Sequence, residues 1–293
     1  MVTILVTGSK GQLGSEIKAI AGNFPHFSFL FTDIEELDIL DEEKVEHFVS
    51  ENKPDVIINC AAYTAVDKAE EEPVKAMWLN RDAVSNLAGA SDRNNCFMVQ
   101  LSTDFVFDGE NSVPYTENDI PCPLSVYGVS KLDGEEAMMA CLQKGLIIRT
   151  SWLYSSFGNN FVKTILKKAR ETGELHVVDD QFGSPTYARD LAETILAILP
   201  AARAAQQFEL FHYANQGSCN WFEFAKEIIA LSGIQCQVHP VKTGHYPAKA
   251  KRPAFSVLDT SMIRNRYGIK IPDWKASLTK CLKELNNKSS IIP

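Results

Sequence analysis

The sequence predicts an α/β fold: a doubly wound parallel sheet followed by a smaller C-terminal α/β lobe. Three observations carry this expectation. Apolar, β-branched runs of buried-strand length alternate with helix-length segments in the N-terminal half, a glycine turn joins the first run to the first helix, and the alternation becomes irregular after about Ser151. Residues 1–151 are therefore read as a nucleotide-binding unit. Residues 152–293 are read mainly as a substrate lobe, with roughly 175–200 returning to the first unit.

The first strand is the apolar run Val2 to Val6, and Thr7-Gly8-Ser9-Lys10-Gly11-Gln12-Leu13-Gly14 follows it directly. Gly8, Gly11 and Gly14 fit a G-x-x-G-x-x-G turn in which absent side chains let a pyrophosphate approach the backbone amides and positive end of a helix starting near Gln12 and Leu13. This is the Rossmann-type arrangement for NAD(P). The second strand, Phe27 to Thr32, ends at Asp33, nineteen residues beyond Gly14, where such folds place an acid on the adenosine ribose. No Lys or Arg lies between Phe31 and Leu40, so the local charge favours NADH over NADPH. Asp38 and Ile39 are candidates to reach the adenine, ahead of a helix over Glu42 to Asn52.

Further buried strands are read at 55–61, 96–102 and 145–151, with helices near Val74 to Arg93 and Ser125 to Leu142. Ligands bind beyond the carboxyl ends of parallel strands. The third strand runs into Ala61, Ala62 and Tyr63, small enough at the alanines for a cofactor to lie against the chain, and the fourth into Thr103 and Asp104. In the second lobe, helices are expected near 159–172, 188–199, 221–232 and 274–285, with strands near 208–214 and 236–241 and a frayed end over 286–293.

Tyr127 and Lys131 stand four apart and share a helix face. An ammonium about 4 Å from a phenol, at an effective dielectric of about 20, is worth roughly 4 kcal/mol, enough to bring a tyrosine some three units below its usual pKa of about 10. That pairing suits proton transfer coupled to redox chemistry. Thr103 precedes Tyr127 by twenty-four residues, a spacing that lets a hydroxyl at the fourth strand end and the Tyr/Lys pair converge on one carbonyl.

With 293 residues, 45% of them hydrophobic, the chain is long enough for one large or two modest cores. A formal net charge of −8 and no Lys/Arg cluster interleaved with aromatics argue against a nucleic-acid partner. Seven dispersed cysteines without a C-x-x-C pair indicate neither disulfides nor structural zinc, and no metal ligands are assigned from spacing. No charged leader and no apolar run of spanning length is present, so no membrane partner is expected and the cytosol is the expected location.

Seven segments resemble the extended short-chain dehydrogenase/reductase superfamily and, within it, the dTDP-4-dehydrorhamnose reductase family. Besides the glycine turn and Y-x-x-x-K, they are Asn59 to Glu70 (NCAAYTAVDKAE), Leu101 to Gly109 (LSTDFVFDG), Pro123 to Lys131 (PLSVYGVSK), Arg149 to Tyr154 (RTSWLY), Gly158 to Val162 (GNNFV), Asp180 to Thr186 (DQFGSPT) and Arg252 to Ser256 (RPAFS). The resemblance implies an NAD(P)H-dependent reduction of the C4 ketone of a dTDP-linked 4-keto-6-deoxy sugar. It gives Tyr127 the role of proton donor, Lys131 that of holding the nicotinamide ribose and Thr103 that of bonding the carbonyl oxygen. It carries Val66, Asp104, Trp152, Asn160, Gln181 and Arg252 toward the substrate, with Lys249, Lys251 and Arg252 as the clearest short basic group for a diphosphate. The resemblance favours NADPH where the bare Asp33 favours NADH, and implies a monomer or homodimer, in some relatives with Mg²⁺ between subunits. The same residues suit a related 4-ketoreductase or epimerase. A non-catalytic relative such as the methionine adenosyltransferase β subunit shares the fold, and the intact Thr103, Tyr127 and Lys131 argue against it.

Overall fold

The computed structural model describes residues 1–289 except 206 and 246. In chain order, β1 (Val2–Thr7), α1 (Gln12–Ile20), β2 (Phe27–Phe31), α2 (Glu42–Asn52), β3 (Val56–Asn59), a one-turn α3 (Val66–Ala69) and α4 (Pro73–Met77) open the chain. A π-turn over Trp78–Asp82 joins α4 to α5 (Ala83–Arg93); β4 (Phe97–Thr103), α6 (Val126–Cys141) and β5 (Gly145–Thr150) complete the alternation. The second half holds β6 (Leu153–Tyr154), α7 (Phe161–Thr172), β7 (Glu174–Val178), β8 (Phe182–Gly183), β9 (Thr186–Tyr187) and α8 (Ala188–Ala204). After these come β10 (Phe208–Tyr213), β11 (Cys219–Asn220), α9 (Trp221–Ser232), β12 (Gln237–Val241), α10 (Ser261–Tyr267) and α11 (Trp274–Ser289).

Six strands form one sheet in the order β10-β5-β4-β3-β1-β2, and every pairing in it is parallel. The strand order reverses at β1 and β3, the switch point where doubly wound sheets open a crevice for ligand. Period-two alternation divides β1 between the faces. Ile4 and Val6 join Ile17, Ile20 and the apolar side of α8 (Leu191, Ile195, Leu199) on one face, whereas Leu5 joins Val45, Val49, Val84, Leu87 and Met138 on the other. Both faces are covered, which is why these strands read as continuous apolar runs.

The segment returning to the sheet differs from the expected 175–200. Leu175 and Val177 pack in the second core with Val162, Ile165, Phe224, Ile228, Trp274 and Leu278, and β7 pairs in parallel with β12 there. The return begins at α8 and continues through β10, which the sequence reading had placed in the second lobe. The physical reason is coverage: α1 alone covers only part of that sheet face, the Leu191/Ile195/Leu199 stripe of α8 covers more of it, and β10 extends the sheet beyond β5. The expected single helix over 74–93 contains the π-turn, and α11 stays helical through Ser289 where fraying was expected from Asn286. Residues 290–293 of that expectation lie outside the described residues. No described helix is long and apolar enough to cross a membrane.

Candidate active site

The site is built at the carboxyl ends of β1, β3 and β4. At β1, Gly8 has a φ of +61°, and a Cβ there would meet the amide nitrogen of Ala61 at 2.6 Å; at Gly14 it would meet the Gly8 carbonyl at 2.5 Å. These contacts force the turn to be bare. Gly11 heads α1 in extended conformation with no side-chain cap, leaving amides at the positive end of a helix for an anion. The cradle therefore fits a dinucleotide pyrophosphate. Asn59, fully buried, holds its far wall: its Oδ1 accepts from the Thr7 hydroxyl (2.6 Å) and the Ala61 amide (3.1 Å), while its Nδ2 donates to Gln100.

Asn80, turned inward by the π-turn, is a second anchor missed in the sequence. Its amide side chain bonds both the N–H and the C=O of Tyr63 and donates to Ser130 on α6 (2.9 Å), so the 61–63 wall and the Tyr127 helix are held in one register. The signals were an asparagine mid-helix, where its propensity is poor, and the unusual turn it occupies. Glu70, at the end of α3, accepts from the Val126 amide at the head of α6.

At the second strand end, Asp33 stands beside the glycine turn as expected, accepting from the amides of Lys10 (2.9 Å) and Ile34 (3.0 Å). The absence of local cations is corrected by the fold. Lys10, distant in sequence, lies at this corner with its ammonium paired to Glu35. Asp38 Oδ1 accepts from the Leu40 amide and the Ile39 side chain is buried in the core, which leaves the second Asp38 oxygen and the Ile39 backbone for an adenine.

Beyond β4, Thr103 and Asp104 are both buried, and the Thr103 hydroxyl donates to Asp104 Oδ1 at 3.1 Å. Tyr127, half-buried, shares a hydrogen bond with Thr103. Burial pushes its phenol up to about 12, against the lowering by Lys131 expected from the helical spacing. The ammonium is committed elsewhere: Lys131 donates to the Leu101 carbonyl at 2.6 Å. Burial brings Lys131 down to about 8, with Glu135 one turn along opposing the shift, and raises Asp104 to about 6 despite hydrogen bonds from Ser256 and Thr103. Glu135 in turn holds Arg149 of β5 through a buried pair at 2.9 and 2.6 Å.

Phe105 opens from this cluster into a cavity of about 290 Å³ lined by Trp152, Gln181, Trp221, Arg252 and Ser256, among others. Trp152 holds a φ of +45°, a conformation costly for a non-glycine residue, and stacks on Trp221 with ring centroids 3.5 Å apart. Of the expected substrate residues, Trp152, Gln181 and Arg252 line this cavity. Asn160 does not. It caps α7 through the Lys163 amide and donates to Gln12 at 3.0 Å, so its side chain ties the glycine turn to the second lobe. Val66 starts α3 beyond β3, outside the cavity wall. The short basic group is largely neutralised: Lys249 pairs with Glu71 and Arg252 with Asp67.

Comparison with known proteins matches residues 2–287 to the model described as the RmlD substrate binding domain. The dTDP-4-dehydrorhamnose reductase of Aggregatibacter actinomycetemcomitans is 38% identical over 286 residues, 95% of this chain and 97% of the relative. The chain belongs to the dTDP-4-dehydrorhamnose reductase family. A solved family structure from Clostridium acetobutylicum superimposes with a TM-score of 0.93 at 42% identity, covering 97% of this chain and all of that one. Another from Bacillus anthracis, in complex with NADP, gives 0.91 at 37% identity over the same shares. As expected for this family, the chain is an NAD(P)-type oxidoreductase on a Rossmann-like sheet. Within one chain, no group of three or more His, Cys, Asp or Glu among the described residues is arranged to hold a metal.

Proposed function

We propose that this protein reduces the C4 ketone of dTDP-4-dehydro-6-deoxy-L-mannose to dTDP-L-rhamnose, the step of dTDP-rhamnose synthesis that the names of its relatives describe. The observation that carries this reading is the cluster of buried Thr103 and Lys131 with half-buried Tyr127, beside the cavity that Phe105 enters and next to a bare glycine cradle. Reduced nicotinamide, when bound, supplies the hydride for C4. Tyr127 donates its proton to O4 as negative charge develops there, and the Thr103 hydroxyl holds that oxygen. A phenol raised by burial remains protonated at neutral pH and so is ready to donate. Lys131 stands one helical turn from Tyr127, where its charge favours the phenolate left behind, and beyond its bond to the Leu101 carbonyl its ammonium keeps two N–H donors for a ribose hydroxyl.

Both cofactors are accepted in this reading. Asp33 suits a free ribose 2′-hydroxyl, and Lys10 offers the charge that a 2′-phosphate needs once it parts from Glu35. In the second lobe, Trp152 and Gln181 contact the sugar nucleotide and Arg252 its diphosphate. The test follows reduced-nicotinamide absorbance with the keto sugar generated in situ, NADPH against NADH, and determines the product's C4 configuration. Oxidation yielding dTDP-L-rhamnose supports the reading. Folded, nucleotide-binding protein that oxidises neither cofactor overturns it.

A further inference from the structure

We propose that Asp67 is a positioning residue for the nucleotide-sugar pocket, its carboxylate fixing the 249–256 strap, and with it Arg252 and Ser256, at the pocket wall. The inference rests on the pocket assigned above. Asp67 lies on α3, beyond the third strand of the cofactor domain, whereas the strap comes from the far end of the chain. One carboxylate gathers four donors from it. Oδ1 accepts from the amides of Lys249 (3.1 Å) and Ala250 (3.0 Å) and from Arg252 Nη1 (3.1 Å), and Oδ2 accepts from Arg252 Nη2 at 2.6 Å.

An ordinary exposed ion pair between two mobile side chains contributes little. This one differs because two of its donors are backbone amides, so the carboxylate sets the path of the strap as well as the direction of a guanidinium. The Arg252 guanidinium holds Asp67 below the usual carboxylate range, and Glu71 adds a second tie one turn along through the Lys249 ammonium.

Further along, the strap is fitted to the site itself. Pro253 packs on Gly109, where a Cβ would meet its own Cβ at 2.5 Å. Ala254 and Ser256 bracket Phe182 in two backbone hydrogen bonds of 2.8 Å, and the Ser256 hydroxyl bonds the carboxylate of Asp104. Arg252, Pro253 and Ser256 all face the cavity. Asp67 therefore orients the guanidinium by its two outer nitrogens and the Ala250 carbonyl takes a second Nη1 hydrogen at 3.2 Å, leaving Nε–H and one Nη2 hydrogen of the planar fork for an anion in the pocket.

The test uses the full-length protein with dTDP as the binding probe and NADP⁺ as the control. Asp67→Asn removes the charge and replaces one acceptor with a donor facing donors. We expect the dTDP Kd and the KM for the keto sugar to rise about tenfold or more, with kcat changed less and NADP⁺ affinity within about twofold. Asp67→Glu recovers part of the loss, and adding Asp67→Asn to Arg252→Met costs little beyond either change alone. Unchanged dTDP affinity overturns the proposal. Tighter dTDP binding does so too, making Asp67 a competitor for Arg252, as does a parallel loss of NADP⁺ affinity and thermal stability. Failure of the wild-type protein to reduce the keto sugar sinks the proposed activity, while the dTDP measurement still judges Asp67.

Discussion

The Lys131 ammonium donates to the backbone carbonyl of Leu101 at 2.6 Å, so the cation of the Tyr/Lys pair is anchored to β4 beneath the phenol. A lysine held this way is costly to the fold. Its pKa of about 8 lies below the 10.5 of an ordinary lysine, so the unfolded chain binds more protons between those values and the penalty, complete below pH 8, is relieved as pH rises through that window. Lys131→Met is expected to stabilise the protein at pH 7 by roughly 1–3 kcal/mol while removing activity. Thermal unfolding and turnover measured together check it, and a destabilised variant would contradict the account.

Tyr127→Phe removes a proton donor and little contact area. Turnover is expected to fall by about 10²–10⁴ with NADP⁺ binding preserved. Steady-state rates beside a nucleotide titration decide it, since unchanged kcat leaves Tyr127 no role as the acid.

Asp104 titrates near 6 in the fold against 3.8 for a free aspartate. The stability its carboxyl brings is complete at acid pH and lost as pH rises through 6, so Asp104→Asn should flatten the pH dependence between about 4 and 6. It should also gain up to ~3 kcal/mol at neutral pH. Urea unfolding across that range gives the answer; an unaltered slope would place the titration elsewhere.

Lys10→Met takes the cation from the ribose corner. Affinity for NADPH is expected to drop severalfold with NADH affinity held, and Glu35→Gln to favour NADPH by freeing the ammonium. Binding constants for both cofactors test this, and equal changes for the two would remove Lys10 from cofactor choice.

Glu135→Leu leaves Arg149 charged and buried. A loss of about 3–5 kcal/mol is expected, far more than for an exposed pair. Chemical denaturation measures it directly, and a loss below about 1 kcal/mol would mean that Arg149 finds another partner.

Much of this architecture was legible in the chain. Val2 to Val6 followed by Gly8, Gly11 and Gly14 announces a strand, a bare turn and a helix because period and glycine content are local properties. Tyr127 and Lys131 share a helix face for the same reason, and Thr103 falls at the end of β4 where parallel-sheet sites open.

Tertiary structure decided which of these groups act on one another. The helical spacing of Lys131 suggested a lowered phenol, whereas the fold buries Tyr127 and spends the ammonium on Leu101, so desolvation prevails over charge. Lys10 meets Glu35 across the β1 and β2 ends, Asn80 braces Tyr63 and Ser130, and Asp67 meets Arg252 across 185 residues. The sequence by itself determined the main strands and helices of the sheet, the glycine turn and the candidate Thr103, Tyr127 and Lys131, since each is written in spacing of a few residues. Burial, long-range pairing and the return of α8 and β10 to the sheet depend on which surfaces exclude water together, and that is settled only when the whole chain packs.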